Sequence, residues 1–388
     1  MKTNNNGQYF TTDNGLKEKL YSFILNNPIE ILEPSIGQGD LVTYIKSKII
    51  NITFDMYEID NNIKLLEAIT EYDKKNIIYE DFMKVSIKKL YKTIIGNPPY
   101  IRTKKGNLYI DFTEKCYNLL EENGELIFIV PSDFFKLTSC SKLLNLMMSN
   151  GTFTHIYHPH NEKLFENASI DIIIFRYCKN NLLEKKVYYN DTIMYIINSD
   201  GLITFSDKEN KNISMFKDYF DIYVGIVSGK DDVYKNKELG NINVLNGENK
   251  IEKYIYIDKF PDQNEKINKH LLENKKVLIQ RGIKKFNENN WFEWGAPRNI
   301  STINNNIGEE CIYIYNLTRT EKIAFLGKVN YFGGSLLMIK PKKKCDLNKI
   351  IIYLNSADFK KNFIFSGRFK IGHRQLSNSY IPDELLSN

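Results

Sequence analysis

Residues 29–50 read Ile29-Glu30-Ile31-Leu32-Glu33-Pro34-Ser35-Ile36-Gly37-Gln38-Gly39-Asp40, then Leu41-Val42-Thr43-Tyr44-Ile45-Lys46-Ser47-Lys48-Ile49-Ile50. The first five residues fit a short buried strand, Pro34 to Gly39 is turn chemistry, and Asp40 is placed to cap a helix whose apolar face includes Leu41, Tyr44, Ile45 and Ile49. Gly37 and Gly39 let the backbone approach a ligand with no Cβ in the way. A second strand-like run, Ile52 to Tyr57, ends at Glu58, nineteen residues after Gly39. An acid at that place can accept both hydroxyls of a ribose. The loop is Gly-x-Gly-x-x-Val and lacks the third glycine of the pyrophosphate fingerprint. Glu33 would repel a phosphate and suits an amine or a sulfonium-bearing amino acid. A nucleoside-type cofactor with a cationic end therefore fits better than a dinucleotide.

Working outward, further strand-like runs cover Asn76 to Glu80, Lys92 to Ile95 and Leu126 to Val130, with a helical pattern from Phe112 to Glu122. Strands alternating with helices predict an α/β domain built on a parallel, doubly wound sheet, its site at the carboxyl ends of the strands. Asp81 and Phe82 follow one strand and offer an acceptor and a ring for an adenine. Asn97-Pro98-Pro99-Tyr100 follows another. Two consecutive prolines can continue neither strand nor helix, so the chain turns there with fixed φ angles. The Asn97 side-chain oxygen and the Pro98 carbonyl can each accept one hydrogen of a planar amine. That draws the nitrogen lone pair out of conjugation and aligns it with an electrophile. No metal and no covalent intermediate are needed.

The chain has 388 residues, of which 42% are hydrophobic and 26% charged, which suits two domains. Its 25 Tyr and 23 Phe supply many rings for stacking. The formal net charge of +6 is unevenly placed. Residues 1–200 carry 23 basic and 25 acidic groups, residues 201–388 carry 30 and 22, and residues 311–380 carry 13 and 3. A basic second half is what a phosphate backbone would select. The five cysteines, Cys116, Cys140, Cys178, Cys311 and Cys345, are scattered and read as free thiols of a reducing compartment. No segment approaches a membrane span. Met1 to Asn6 lacks a signal-peptide core, so a cytoplasmic protein is expected. His155, His158 and His160 lie close together, but nothing completes a metal site at normal spacing, and a hairpin edge is the expectation there.

Taken in order, Gln8-Tyr9-Phe10-Thr11-Thr12, Leu32 to Gly39, Glu58-Ile59-Asp60, Asp81-Phe82 and Asn97-Pro98-Pro99-Tyr100 resemble the motifs of N6-adenine DNA methyltransferases of the gamma arrangement, the TaqI-like, restriction–modification type. The segment from Leu164 to Tyr177 looks like a later motif of that family. The resemblance covers about the first 180 residues. It implies a Rossmann-like catalytic domain, residues 1–212, using S-adenosylmethionine, and an α+β target-recognition domain, residues 213–388. Carried over by position, Thr11, Glu33, Ser35, Gly37, Gly39, Glu58, Ile59, Asp81, Phe82 and Asn97 would hold the cofactor. Asn97, Pro98, Pro99, Tyr100 and Phe165 would act on a flipped-out adenine, with Tyr100 and Phe165 sandwiching the ring. Thr12 stands where many relatives have proline. Double-stranded DNA is the implied partner, a cognate restriction endonuclease a second candidate, and a monomer the expected state.

In the second half, Ser206 to Asn212 is a polar boundary, and Tyr223 to Tyr234 looks like the start of the recognition domain in such relatives. Trp291 to Asn299, Asn316 to Thr320 with Lys322, Lys328, Tyr331 and Phe332, and Gly367 to Gln375 interleave basic, aromatic and amide groups. Arg298, Arg319, Arg368 and Arg374 are the candidate DNA contacts. Other readings remain open: a methyltransferase acting on an RNA base amine or a protein glutamine, a dinucleotide-dependent oxidoreductase, or a catalytically silent DNA-binding subunit. The missing glycine argues against the oxidoreductase and the intact clamp against the silent subunit.

Overall fold

The structure is a computed structural model that describes residues 9–104, 106–165, 168–181, 185–209 and 213–386. The chain divides into two compact units, Met1–Lys211 with Phe365–Gly367, and Asn212–Ile364 with Arg368–Asn388. The expected junction at 212/213 adjoins residues 210–212, which lie outside the described residues, as do Gln8, Glu166 and Asn167 of the quoted motifs.

The first unit is built on a ten-stranded sheet. Its strands are β1 (Glu30–Glu33), β2 (Thr53–Tyr57), β3 (Ile77–Ile78), β4 (Tyr91–Gly96), β5 (Leu120–Pro131), β6 (Gly151–Tyr157), β7 (Ile172–Lys179), β8 (Lys186–Tyr189), β9 (Thr192–Ser199) and β10 (Leu202–Ser206). Their spatial order is β10-β9-β8-β6-β7-β5-β4-β1-β2-β3. From β3 to β5 all neighbours are parallel. β7 then inserts antiparallel between β5 and β6. The sheet is therefore doubly wound but mixed. β3 to β5 match the wholly parallel expectation and β8 adds one parallel pair with β6, but β7, β9 and β10 run antiparallel to their neighbours because β7 to β10 are joined by connections too short to carry a crossover helix. Strand order reverses between β1 and β4, which opens a crevice at their carboxyl ends, where Glu33 and Gly96 sit.

Both faces of the sheet are covered, so its central strands are apolar throughout. Leu32, Ile94, Leu126 and Phe128 pack on one side, and Ile31, Ile95, Ile127 and Ile129 on the other. The alternation follows the two-residue period of a strand. Three helices matter for the site: α1 (Asn14–Ser22), α2 (Asp40–Lys46) and α3 (Leu108–Asn118). α3 starts four residues earlier than the Phe112–Glu122 pattern suggests and stops at Asn118, because Leu120 already pairs with Tyr91 in the sheet. Gly39, not Asp40, is the N-cap of α2, since its positive φ of 94° makes the turn into the helix. A Cβ there would come within 2.7 Å of Ile69. The histidine run is not a hairpin edge: β6 is paired on both sides, to β7 and β8. His158 is buried, with Nε2 2.9 Å from Asp171.

The second unit is α+β. Its antiparallel sheet has the order β11-β17-β14-β16, given β11 (Phe220–Val224), β12 (Ile242–Gly247), β13 (Lys250–Tyr254), β14 (Glu310–Tyr315), β15 (Leu317–Thr318), β16 (Ala324–Lys328), β17 (Leu336–Pro341), β18 (Ile364–Phe365) and β19 (Arg368–Lys370). β12 and β13 form a hairpin, and β15, β19 and β18 a small three-stranded sheet. All five cysteines are unpaired, and among the described residues no helix is long and apolar enough to cross a membrane.

Candidate functional site

The loop after β1 is shaped by carboxylates that bind backbone. Glu58, just past β2, accepts from the N–H groups of Gly37 at 2.9 Å, Ile59 at 3.0 Å and Asp60 at 2.9 Å. These bonds lock the glycine loop onto the second strand end, and Glu58 is buried there. Glu33 is buried below the loop and accepts from the Ser35 N–H at 3.0 Å. Burial pushes its carboxyl up to about 8, although the Ser35 bonds pull the other way. Asp81 accepts from the Met83 N–H at 3.0 Å and pairs with exposed Lys84.

A pocket with about 780 Å³ of empty space lies above these groups. Of the expected cofactor residues it is lined by Ser35, Gly37, Glu58, Ile59, Asp81, Phe82 and Asn97. Glu33, Gly39 and Thr11 are not among the lining residues. Glu33 supports the loop, Gly39 turns it, and buried Thr11 accepts from Asn97 Nδ2 at 3.1 Å. Tyr9, Phe10, Pro34, Glu80, Ile101, Leu108 and Phe112 also line the pocket and carry no assignment from sequence. The Tyr9-Phe10 pair beside Thr11 was the signal for the first two. The concavity is mostly apolar with a few convergent acids, as small-ligand sites are.

At the edge of this pocket, Asn97 is held by three partners. Its Nδ2 donates to the Tyr9 carbonyl at 2.7 Å and to Thr11, and its Oδ1 accepts from the Tyr100 hydroxyl at 2.6 Å. A carbonyl can only accept, so the amide orientation is fixed: the nitrogen faces the Tyr9 carbonyl and the oxygen faces the Tyr100 hydroxyl. One lone pair of Oδ1 remains beyond the Tyr100 bond. Among the described residues nothing donates to the Pro98 carbonyl.

The two rings expected to sandwich a base do not form a parallel slot. Tyr100 and Phe165 are 6.3 Å apart, centre to centre, at 71°. Tyr9 contacts both, at 5.4 Å from Tyr100 and 5.7 Å from Phe165. Phe165 is only 4% exposed and packs in the apolar cluster that contains Ile129 and Ile172.

In the second unit the structure separates the expected DNA contacts. Arg298, Arg319 and Arg368 are exposed. β15 pairs antiparallel with β19, Thr318 opposite Phe369, which brings Arg319 next to Arg368 although 49 positions separate them. Arg374 is half-buried on a short helix, His373–Ser377. Trp291 and Trp294 are core residues, not surface rings, as are Phe332 and Phe369. Arg281 is buried beside the tryptophan stretch. Its guanidinium donates to the carbonyls of Leu278, Ser228, Trp291 and Glu293 at 2.7–2.8 Å and stacks 3.8 Å from the Phe286 ring. Sequence reading missed Arg281. Among the described residues no cluster could hold a metal ion.

Residues 19–165, the stretch that contains β1 to β6, α2, α3 and the Asn97 turn, match the family model of the Eco57I restriction-modification methylase. That stretch of the chain is thus similar to restriction–modification methylases. The chain is 31% identical over 202 residues to the type II methyltransferase M.HincII of Haemophilus influenzae, covering 46% of this chain and 38% of that protein. It is 34% identical over 142 residues to the modification methylase CviBIII of Paramecium bursaria Chlorella virus NC1A, covering 32% and 37%. A shorter likeness, 38% identity over 101 residues and 26% of this chain, joins it to ribosomal RNA small subunit methyltransferase A of Mesomycoplasma hyopneumoniae. The chain spans well under half the length of these curated relatives. Among solved structures, the type IIL restriction-modification enzyme MmeI in complex with DNA shares the fold with a TM-score of 0.62 at 12% identity, over 93% of this chain and 63% of that one. That likeness of fold covers residues of both units.

Proposed function

We propose that this protein is a DNA methyltransferase that moves a methyl group from S-adenosylmethionine to N6 of an adenine rotated out of a short duplex site, in a restriction–modification setting. The observation that carries the reading is the Asn97 amide, fixed with its oxygen toward the Tyr100 hydroxyl, beside an unclaimed Pro98 carbonyl and above a pocket floored by acids.

The residues fit the cofactor. Glu58 would take the ribose hydroxyls, Ile59 and Phe82 would flank the adenine, and Asp81 would accept its amine. Glu33 and Ser35 would meet the ammonium end. The cofactor, when bound, supplies a methyl on a positive sulfur. Asn97 Oδ1 and the Pro98 carbonyl each accept one hydrogen of the target amine and so localise its lone pair. Tyr100 gives the base an aromatic face, each such contact worth about 1–3 kcal/mol. Extrusion costs a few kcal/mol, which the exposed arginines of the second unit help to offset by holding the phosphate backbone. Arg298, Arg319 and Arg368 are better placed for that than Arg374. We expect a monomer, with a cognate endonuclease reading the same site as a second candidate partner.

A second reading, methylation of an RNA base amine, is favoured by the ribosomal RNA methyltransferase likeness. Incubation with methyl-labelled cofactor and duplex DNA, structured RNA or protein separates the two. N6-methyladenine in duplex DNA at one recurring sequence is the expected result. Label confined to RNA or protein overturns the proposal.

A further inference from the structure

The arrangement of Tyr9, Tyr100 and Phe165 says something about how the base site is kept before a base arrives. Tyr100 and Phe165 meet edge to face, with no gap between them for a purine. The ring nearest to parallel with Tyr100 is Tyr9, at 30° and 5.4 Å between centres. That is the separation of an offset aromatic stack. The same Tyr9 ring also leans on Phe165 at 5.7 Å. All three belong to or pack on one apolar cluster of the first unit. The hydrogen bonds of the turn do not involve the Tyr9 side chain: Asn97 is anchored by the backbone carbonyl of Tyr9.

We propose, resting on the base-extrusion reading above, that the Tyr9 ring fills the stacking place of the target base and must swing out before the base can settle on Tyr100. Rotation about Cα–Cβ moves the ring and leaves the Tyr9 carbonyl where it is. The slot can therefore open without loosening Asn97. In the closed form Tyr9 shields Tyr100 and Phe165 from water. On opening, its contacts with them are exchanged for those of the base. Stacking is then a replacement of one ring by another, and only the difference between them favours extrusion. Tyr9 acts as a positioning residue that sets how readily a base enters.

The test uses the full chain, cofactor analogue and a duplex carrying 2-aminopurine at the target position, once methylation mapping has located that position. Emission of 2-aminopurine rises when it leaves the stack. Tyr9→Ala and Tyr9→Leu should increase the emission of the bound duplex and tighten duplex binding about fivefold or more, while Tyr9→Phe retains the wild-type emission. The leucine variant keeps apolar volume and guards against a misfolded alanine variant. Unchanged or lower emission in both ring-less variants overturns the proposal, lower emission marking Tyr9 as a stacking wall instead. If the wild-type protein gives no emission rise on a duplex that it methylates, or methylates no DNA, base extrusion itself is refuted and this inference falls with it.

Discussion

Two stretches of this chain look alike on paper: Asn97-Pro98-Pro99-Tyr100 and Trp291-Phe292-Glu293-Trp294 each join rings to polar groups. In the structure they do opposite things. The first holds its amide at the edge of a pocket, because paired prolines stiffen the turn and partners from residues 9, 11 and 100 fix the side chain. The second turns inward, because a distant arginine collects its carbonyls. Trp294 then donates its indole N–H to the Ile255 carbonyl at 2.9 Å inside the core. The same residue types form a site or a core according to which neighbour satisfies the backbone.

The sharpest way to break this contrast is Arg281→Ala. It removes a donor from four carbonyls, of which those of Ser228 and Glu293 keep the Gly295 N–H and the Tyr234 hydroxyl, and an unsatisfied buried carbonyl costs about 1–3 kcal/mol. We expect the second unit to lose about 3–5 kcal/mol in denaturant titration. A loss under about 1 kcal/mol would show that the tryptophan stretch holds itself. Asn97→Ala should do the reverse: fold and cofactor affinity are kept while the methyl-transfer rate falls about 10²–10³-fold, the scale seen when one transition-state hydrogen bond is removed. Rates within a few fold of wild type would detach the turn from the chemistry.

Glu33 sharpens the comparison from beneath the pocket. A carboxyl held at about 8 must lose its proton to meet an ammonium. Cofactor affinity should therefore drop as pH falls below 8, by up to about tenfold per unit. Glu33→Gln should bind more weakly with a flat profile, read by calorimetry between pH 6 and 9. Stability runs the other way. Between the ordinary carboxyl value and about 8 the folded state binds the extra proton, so the wild type loses stability as pH rises through that window. The glutamine variant should not. The smallest effect is expected at the surface. Arg319→Ala and Arg368→Ala should each weaken duplex binding a few fold and reduce the slope of log affinity against log salt by about one, with cofactor binding intact.

Much of the first unit could be read in advance because its signals are local. The run from Leu32 to Gly39, the acid at Glu58 and the Asn97 turn each follow a strand end, and the doubly wound topology puts strand ends on one edge. Seven of the ten expected cofactor residues line the pocket. Thr11, Glu33 and Gly39 are not among the lining residues, since spacing along a chain does not say whether a side chain faces a pocket or supports the residue that does. The antiparallel insertion of β7 could not be seen, as an eight-residue apolar run looks the same in either direction. In the second unit, burial of Trp291 and Trp294 depends on Arg281, and the meeting of Arg319 with Arg368 depends on pairing between remote strands. Neither leaves a trace in composition.

One consequence of the Asn97 anchorage concerns handling rather than catalysis. Its orientation is set by Tyr9 and Thr11, which precede every strand of the sheet. Proteolytic clipping just before α1 would leave every strand of the sheet in place, yet the amide would keep only its Tyr100 bond, and a hydroxyl can pair with either end of an amide. A preparation nicked there would keep its sheet and still be inert, so an inactive batch should be weighed by mass spectrometry before its sequence is blamed.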